Sequence, residues 1–257
     1  MTDSNRVGAS IPESYQPGPR ALENKTILVT GASTGIGESA ALRYAARGAT
    51  VILLARSVPR LEAVYDAIVA AGGAQPAAIP FDLGSSDENS YAELARVIGE
   101  QFPHLDGLLL NASVLGERRP LEQSSWKDWQ ETMHINVNSQ FLTVRALMPL
   151  LREAPTASVV FTSSGVGRVG RAYWGAYCVS KFATEAMMQI LSSETENTSF
   201  IRVNCVNPGA TNTAMRRTAY PAEVPTTNPS PDAIMRPYLY LMDDASEGTT
   251  GISFDAQ

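Results

Sequence analysis

The sequence TILVTGASTGIGESA occupies residues 26–40 and is the strongest indication of the fold. Its first five residues are apolar or β-branched, as is typical of a buried strand. Glycines come next with the spacing G-x-x-x-G-x-G, and after them comes an alanine-rich helical pattern that stops at Gly48. A glycine turn between a strand and a helix lets backbone N–H groups approach a pyrophosphate, whose charge the helix N-terminus stabilises. The stretch predicts a dinucleotide-binding βα unit, since it lacks the Gly-Lys-Ser/Thr that would favour a Walker A loop.

Short apolar runs and helical patterns alternate along the rest of the chain. Predicted strands cover residues 26–30, 50–55, 76–83, 105–112, 158–163, 200–208 and 251–256, and helical patterns cover 37–48, 60–73, 87–101, 125–151 and 175–195. Strands that alternate with helices imply right-handed crossovers and a parallel sheet covered on both faces. We therefore predict an α/β fold: a Rossmann-like, doubly wound, mainly parallel seven-stranded sheet with helices on both faces.

The first 20 residues differ in composition from the rest of the chain. They contain three prolines and several small polar residues. We expect an extended N-terminal tail over residues 1–20, which either wraps a neighbour or stays mobile. No interior stretch resembles a linker, so residues 21–257 are expected to form a single dinucleotide-binding catalytic domain.

Composition and charge narrow the classes of function. The net charge is −6 without a basic run, which argues against a protein that binds duplex nucleic acid. The apolar runs are too short to span a bilayer, and the N-terminus lacks the pattern of a signal peptide. Two cysteines and two histidines supply neither a disulfide scaffold nor a metal cluster. We expect a cytoplasmic protein with no metal site and no membrane or nucleic-acid partner.

The end of the second predicted strand discriminates between the two nicotinamide cofactors. An acidic residue that binds the ribose of NAD is expected about 20 positions after the glycine turn. Counted from Gly35, that place holds Ala55, and Arg56 comes directly after it. A guanidinium suits a 2′-phosphate, so the sequence favours NADP(H). The alternative is that Arg56 is a solvated loop residue.

The stretch WGAYCVSKFATEAM, residues 174–187, places Tyr177 and Lys181 four residues apart in a helical pattern. A helix brings such a pair onto one face. A free tyrosine has a pKa of about 10 and is a poor acid–base catalyst at neutral pH. A lysine held beside it favours the phenolate, so we expect Lys181 to lower the pKa of Tyr177. A chance surface pair is the alternative.

With TGASTGIG (30–37) and YCVSK (177–181) in this order, the chain closely resembles the short-chain dehydrogenase/reductase family over roughly residues 22–254. Within the family, residues 27–37, 161–185 and 202–215 are most similar to the YciK-type subgroup of bacterial oxidoreductases. The resemblance implies an NADP(H)-dependent oxidoreductase, with 3-oxoacyl groups on a carrier protein among the candidate substrates.

The family's site carries over residue by residue. The resemblance implies a catalytic set of Asn136, Ser164, Tyr177 and Lys181. Together with the glycine turn and Arg56, it predicts cofactor contacts from Gly31, Ser33, Thr34, Gly35, Ile36, Gly37, Arg56, Asp82, Leu83, Asn111, Tyr177, Lys181, Pro208, Gly209, Thr211 and Thr213. Asp82 is expected to face the adenine, and the two threonines are expected to contact the nicotinamide end.

Two segments depart from the family pattern. The fourth predicted strand ends in Leu110-Asn111-Ala112-Ser113 rather than Asn-Asn-Ala-Gly, so the backbone there is expected to bend differently. The C-terminal GISFDAQ lacks the family's Asp-Gly-Gly, which leaves the packing of that edge in an oligomer open.

The implied reaction needs a hydride on carbon and a proton on oxygen, and the cofactor supplies only the hydride. Tyr177 is the expected general acid, and Ser164 is expected to hydrogen-bond the carbonyl oxygen. Asn136 is expected to anchor a water beside Lys181. The structural alternatives are a turn residue at Ser164 and a helix kink at Asn136. Cys178 is expected to be a small packing residue rather than a redox group.

The substrate and the partners are less defined. Arg118, Arg119, Arg168 and Arg171 either receive an anionic substrate or are only solvated. The expected substrate is a small-molecule carbonyl or an acyl thioester. The alternatives to a carbonyl reductase are an NADP-dependent alcohol dehydrogenase and a non-catalytic NADP(H)-binding sensor. The resemblance implies a homodimer or homotetramer.

Overall fold

The structure, a computed structural model, describes residues 7–84 and 86–257. Within these residues, eight strands form one parallel sheet in the order β1-β8-β7-β6-β5-β2-β3-β4. The strands are β1 Val7–Ala9, β2 Thr26–Thr30, β3 Thr50–Ala55, β4 Ala77–Pro80, β5 Gly107–Leu110, β6 Ala157–Thr162, β7 Ile201–Asn207 and β8 Ser253–Asp255. The parallel, doubly wound fold is as predicted, with eight strands instead of seven.

The additional strand comes from the segment predicted as a tail. β1 pairs with β8 at the edge of the sheet, Val7 opposite Ser253, with an irregular register. Its three residues, Val-Gly-Ala, are too few for an apolar alternation, which is why the sequence pattern does not indicate a strand. The next segment packs on the body of the protein: Ile11 and Tyr15 are buried, and the Tyr15 hydroxyl donates to Asp243 over 3.0 Å. Residues 1–6 of the predicted tail lie outside the described residues.

In the described part of the chain, eight α-helices connect the strands. They are α1 Gly35–Ala45, α2 Val58–Ala70, α3 Glu88–Gln101, α4 Trp126–Met133, α5 Ser139–Arg152, α6 Gly175–Thr195, α7 Ala214–Ala219 and α8 Met235–Met242. The helix predicted over 125–151 is divided, because a π-helical turn over His134–Asn138 joins α4 to α5. Helices α7 and α8 were not predicted from the sequence pattern. Within residues 7–84 and 86–257, no helix is long and apolar enough to cross a membrane.

The sheet has an apolar core on each face. Neighbouring strand residues alternate between the faces: Ile27 and Val29 pack with α1, α2 and α8, whereas Leu28 packs with α3, α5 and α6. Because both faces are covered, the central strands are buried along their length. The strand order reverses between β2 and β5: β3 and β4 are added on one side of β2, and β5 to β8 are added on the other. In such sheets, ligands bind in the crevice beyond the carboxyl ends of the strands at this point.

Candidate active site

A cleft of about 910 Å³ opens at the carboxyl ends of the strands. Most of the predicted site residues line it: Gly31, Ser33, Thr34, Gly35, Ile36, Arg56, Asp82, Leu83, Asn111, Ser164, Tyr177, Lys181, Pro208, Gly209, Thr211 and Thr213. Gly37 and Asn136 do not line it. Both lie behind the cleft wall, where their contacts shape it.

The glycine turn is built by close backbone approach. Gly31 and Gly35 have φ values of +68° and +60°, in the left-handed region that favours glycine. A Cβ atom on Gly37 would lie 2.2 Å from the carbonyl oxygen of Gly31 and 2.7 Å from Nδ2 of Asn111. Thr34, the N-cap of α1, makes no side-chain capping bond. The first amides of this eleven-residue helix therefore have no side-chain acceptor, and Gly35 and Ile36 at that end line the cleft, as an anionic ligand requires.

Two arginines lie beside the end of β3. Arg56 comes directly after the last residue of that strand and is exposed, and Arg60 lies in the first turn of α2; both line the cleft. Neither side chain hydrogen-bonds another residue in the described part of the chain, so both guanidiniums are available to a ligand. Arg60 is not among the predicted cofactor contacts, although its place in the first turn of the adjoining helix is readable from the sequence.

Asp82 and Asn111 make contacts within the protein. Asp82 lines the cleft after β4, and its carboxylate accepts a hydrogen bond of 2.9 Å from the Gly84 amide. The Asn111 side chain donates from Nδ2 to the carbonyl of Thr30 over 3.3 Å, and the backbone amide of Asn111 donates to the Thr30 hydroxyl over 2.9 Å. These bonds hold the end of β5 against the end of β2 and so fix one wall of the cleft.

Asn136 lies in the π-helical turn and is fully buried. Its side chain accepts from the Val114 amide over 2.8 Å and donates to the Val114 carbonyl over 2.9 Å. A third bond, of 3.0 Å, goes from Nδ2 to the hydroxyl of Ser180, next to Lys181. Asn136 therefore joins the loop after β5, where the sequence departs from the family pattern, to the helix that carries Tyr177 and Lys181.

Tyr177 and Lys181 lie on α6 and are both buried. The ammonium nitrogen of Lys181 donates a 2.8 Å hydrogen bond to the carbonyl of Thr162 at the end of β6. It lies 5.6 Å from the centre of the Tyr177 ring. The pair is therefore a part of the cleft wall and not a chance pair on the surface.

Burial controls the titration of both groups. It lowers the pKa of Lys181 to about 8, although Cys205 and Glu185 act in the opposite direction. It raises the pKa of Tyr177 to about 12, against the effect of the Ser164 hydroxyl. The expectation that Lys181 lowers the pKa of Tyr177 is not met in the protein alone. Burial destabilises the phenolate by more than the neighbouring groups stabilise it. Tyr177 is thus protonated at neutral pH.

Ser164 begins a short 3₁₀ turn over Gly165–Gly167, and its hydroxyl accepts a 3.4 Å bond from the Val166 amide. A Cβ atom on Gly167 would lie 2.8 Å from the Lys181 carbonyl, so glycine lets this turn pack closely on α6. Cys178 donates from Sγ to the Val166 carbonyl over 3.0 Å. The turn therefore places the Ser164 hydroxyl in the cleft beside Tyr177.

The turn after β7 forms the far wall. Gly209 has a φ of +68°, and Thr211 donates from its hydroxyl to the Pro208 carbonyl over 3.1 Å. Thr213 caps α7 by accepting from the Arg216 amide over 3.1 Å. Gln257 donates from Nε2 to the Pro208 carbonyl over 2.6 Å, so the last residue of the sequence packs against this turn.

The four arginines whose role the sequence left open do not line the cleft. Arg168 donates to Asp255 over 2.7 Å, and Arg119 lies 3.6 Å from Glu117. Arg171 is exposed. Arg118 donates to the Ala219 carbonyl at the end of α7.

Helix α7, which the sequence pattern does not indicate, covers the end of the cleft beside Tyr177. The Arg118 guanidinium holds it there, since it lies 4.4 Å from the centre of the Trp174 ring and 4.9 Å from that of Tyr220. Beside Tyr177 the cleft is apolar, with Val114, Leu115, Trp174, Met215 and Ala219 in its lining. Arg216 and Arg217 of α7 also line the cleft, and neither is among the predicted site residues. Arg216 pairs with Glu223 over 2.6 Å.

The described residues contain no group of three or more His, Cys, Asp and Glu side chains that could hold a metal ion.

Comparison with known proteins agrees with this geometry. Residues 25–224 match the family model of the short chain dehydrogenases. The uncharacterized oxidoreductase YciK of Escherichia coli K12 is 48% identical over 243 residues, which cover 95% of this chain and 96% of that protein.

Two solved structures are similar along almost the whole chain. A short chain dehydrogenase of Shigella flexneri complexed with NADP has a TM-score of 0.91 at 48% identity and covers 93% of this chain and 100% of its own. A short chain dehydrogenase of Escherichia coli CFT073 complexed with NADPH has a TM-score of 0.91 at 48% identity and covers 94% of this chain and 100% of its own.

The chain belongs to the short-chain dehydrogenase/reductase family and is an oxidoreductase.

Proposed function

We propose that the protein is an NADPH-dependent carbonyl reductase. The observation that carries the proposal is the joint placement of Ser164, Tyr177 and Lys181 in the cleft that also holds the glycine turn. Tyr177 is protonated at neutral pH, as a group that gives a proton to a carbonyl oxygen must be.

The cofactor is NADP(H). The glycine turn and the first amides of α1 suit the pyrophosphate, and Arg56 and Arg60 suit a 2′-phosphate at the end of β3. Two structures that are 48% identical to this chain are complexed with NADP and NADPH. When bound, NADPH supplies the hydride that the reduction needs.

The chain's own residues orient the carbonyl and supply the proton. Ser164 donates a hydrogen bond to the carbonyl oxygen and stabilises the charge that develops there. Tyr177 then transfers its phenolic proton to that oxygen. Lys181, which the Thr162 carbonyl holds in place, stabilises the phenolate that forms. Asn136 hydrogen-bonds both the loop after β5 and α6, and so it holds Tyr177 and Lys181 in position against that loop.

The substrate is an apolar carbonyl compound. The cleft beside Tyr177 is lined by Leu115, Trp174 and Met215, and Arg216, which lines the cleft at α7, is already paired with Glu223. A 3-oxoacyl thioester fits this description, because its reacting carbonyl is flanked by an apolar chain. Arg217, which is exposed on α7 and lines the cleft, offers a cation to a charged carrier.

The protein works as a homo-oligomer in the cytoplasm. Helices α5 and α6 expose four large apolar side chains, Phe141, Val179, Phe182 and Ile190. Those of α6 repeat at helical spacing and so share one face, which favours association with a second copy. Both cysteines are free and buried, as suits a reducing compartment.

The test is NADPH oxidation by the purified protein with a panel of ketones, aldehydes and 3-oxoacyl thioesters of increasing chain length. The proposal expects turnover whose kcat/KM rises with apolar chain length, together with equimolar alcohol product. Faster oxidation of secondary alcohols by NADP⁺ at the same pH would favour an alcohol dehydrogenase. Tight NADPH binding without turnover of any compound would favour a sensor.

A further inference from the structure

A buried polar network lies behind the catalytic end of the cleft, and the proposed chemistry does not use it directly. Its centre is Glu185, which is 6% exposed and lies one helical turn beyond Lys181 on α6. Its Oε1 atom accepts hydrogen bonds from the Ser163 hydroxyl over 2.5 Å and from the Ser253 hydroxyl over 2.9 Å. Arg168 Nε lies 3.4 Å from the same atom.

Arg168 extends the network to the end of the sheet. It donates from Nη1 to Asp255 over 2.7 Å and from Nη2 to the Ser253 hydroxyl over 2.7 Å, both in β8. Asp255 also accepts a 2.9 Å bond from Asn207, the residue before the Pro208 turn. The network therefore joins three segments of the cleft wall: the Ser164 turn, α6 and the turn after β7.

Within this network, the Glu185 carboxylate is only partly paired with a positive charge. The Arg168 guanidinium lies 2.7 Å from the Asp255 carboxylate but 3.4 Å from that of Glu185. The second carboxylate oxygen of Glu185 is buried without a hydrogen-bond partner among the described residues. A buried carboxylate is costly unless it is compensated. The remaining cation near Glu185 is Lys181, whose charged form needs a counterion for the same reason.

We propose that Glu185 and Arg168 are positioning residues of the active site. Glu185 favours the charged state of Lys181 and fixes Ser163, and Arg168 ties the Ser164 turn to β8. The inference rests on the proposed function only for its effect on turnover. The effect on Lys181 is a property of the protein without substrate.

The groups that face Lys181 support this assignment. Tyr177 and Glu185 lie on its own helix, the Thr162 carbonyl approaches from β6, and Cys205 approaches from β7. Burial keeps the pKa of the Cys205 thiol well above its ordinary value, so this group is neutral where Lys181 titrates. Tyr177 is neutral there as well. Glu185 is therefore the anion that opposes the effect of burial on the pKa of Lys181.

The test measures the titration of Lys181 in two variants. The chain has three lysines, so ¹³C-labelled lysine gives three resolvable side-chain NMR signals, and loss of one in Lys181→Met assigns it. In Glu185→Gln the midpoint of Lys181 falls by at least about half a pH unit, because a nearby anion is lost. In Arg168→Gln the midpoint rises, because Glu185 loses the guanidinium 3.4 Å away that screens its charge from Lys181.

Opposite signs distinguish this role from a structural one, since general loosening would move Lys181 in the same direction in both variants. The matched control is Arg145→Gln, which breaks the exposed ion pair with Glu88 on the surface and leaves the midpoint unchanged. In the enzyme assay, Arg168→Gln lowers kcat about ten-fold or more through misplacement of Ser164, and Arg168→Lys restores part of it.

A Lys181 midpoint that stays unchanged in Glu185→Gln, or that falls in both variants, overturns the inference. If Glu185→Gln does not fold, Arg168→Gln alone decides, since an unchanged or lower midpoint in it also contradicts the proposal. If the wild-type protein reduces no carbonyl, the proposed function fails, whereas the midpoints still decide the role of Glu185 and Arg168.

Discussion

The ammonium nitrogen of Lys181 lies 5.6 Å from the centre of the Tyr177 ring, and both side chains are buried at the carboxyl end of the sheet. Burial favours the neutral form of each group, so it raises the pKa of the tyrosine and lowers that of the lysine. At neutral pH the proton is therefore on Tyr177. The cation on Lys181 is maintained at the cost of folding stability.

This cost gives a prediction about stability. Burial lowers the pKa of Lys181 to about 8 in the folded protein, against about 10.4 for a lysine in the unfolded chain. Between these values the unfolded chain binds more protons, so stability rises with pH in this window, and the full cost is present below pH 8. Lys181→Met removes the cost, and we expect it to raise the free energy of unfolding at pH 7 by on the order of 2 kcal/mol.

Urea unfolding of the wild type and of Lys181→Met at pH 7 and near pH 10 checks this prediction. The gain should shrink at the higher pH, while NADPH oxidation is lost at both. Lys127→Met, which removes an exposed lysine of α4, is the control and should change neither. A gain that is the same at both pH values would show that the ionisation of Lys181 is not its cause.

Arg56 should determine the preference between the two cofactors. Arg56→Ala removes a charged hydrogen-bond donor from the 2′-phosphate, which is worth about 1.5–3 kcal/mol, so KM for NADPH should rise roughly 10- to 100-fold. The KM for NADH, which lacks that phosphate, should stay nearly unchanged. Arg152→Ala, at an exposed position at the end of α5, is the matched control. Equal losses with both cofactors would place Arg56 outside the phosphate site.

Arg118 should act on the carbonyl substrate alone. Its guanidinium lies between Trp174 and Tyr220 and donates to the last residue of α7. Arg118→Ala removes these contacts and loosens α7, and because two such contacts are worth about 1–2 kcal/mol, KM for the carbonyl should rise about ten-fold. Steady-state kinetics should show no change in KM for NADPH. Arg119→Ala, an exposed neighbour, should leave both constants unchanged, and an effect equal to that of Arg118→Ala would contradict a role for α7.

The sequence predicts those features of the protein that are determined by residues close together in the chain. The glycine spacing, the apolar strands and the Tyr177–Lys181 interval each have a short-range cause, and the structure places them as expected. The doubly wound sheet results from the alternation of strands and helices. The π-helical turn at Asn136 is different, because it depends on bonds to Val114 and Ser180, which lie 22 and 44 residues away.

Other features also depend on long-range contacts. β1 is a strand only because β8 provides a free edge, and a three-residue segment has no periodicity of its own. Helix α7 has only six residues and is held by Thr213 and Arg118. The pKa of Tyr177 was predicted in the wrong direction for the protein alone, because the sequence shows which groups are neighbours but not how deeply they are buried.

The catalytic role of Tyr177 is tested by comparing the wild type with Tyr177→Phe in NADPH oxidation with a carbonyl that the wild type reduces. Fluorescence titration measures NADPH binding in parallel. Phenylalanine keeps the ring and removes the proton. We expect kcat to fall by roughly 10²- to 10⁴-fold with little change in NADPH affinity, because only proton transfer is lost. Cys178→Ala, at the next position of the same helix, should retain most of the activity. Turnover in Tyr177→Phe within a few-fold of the wild type would contradict the assignment of Tyr177 as the general acid.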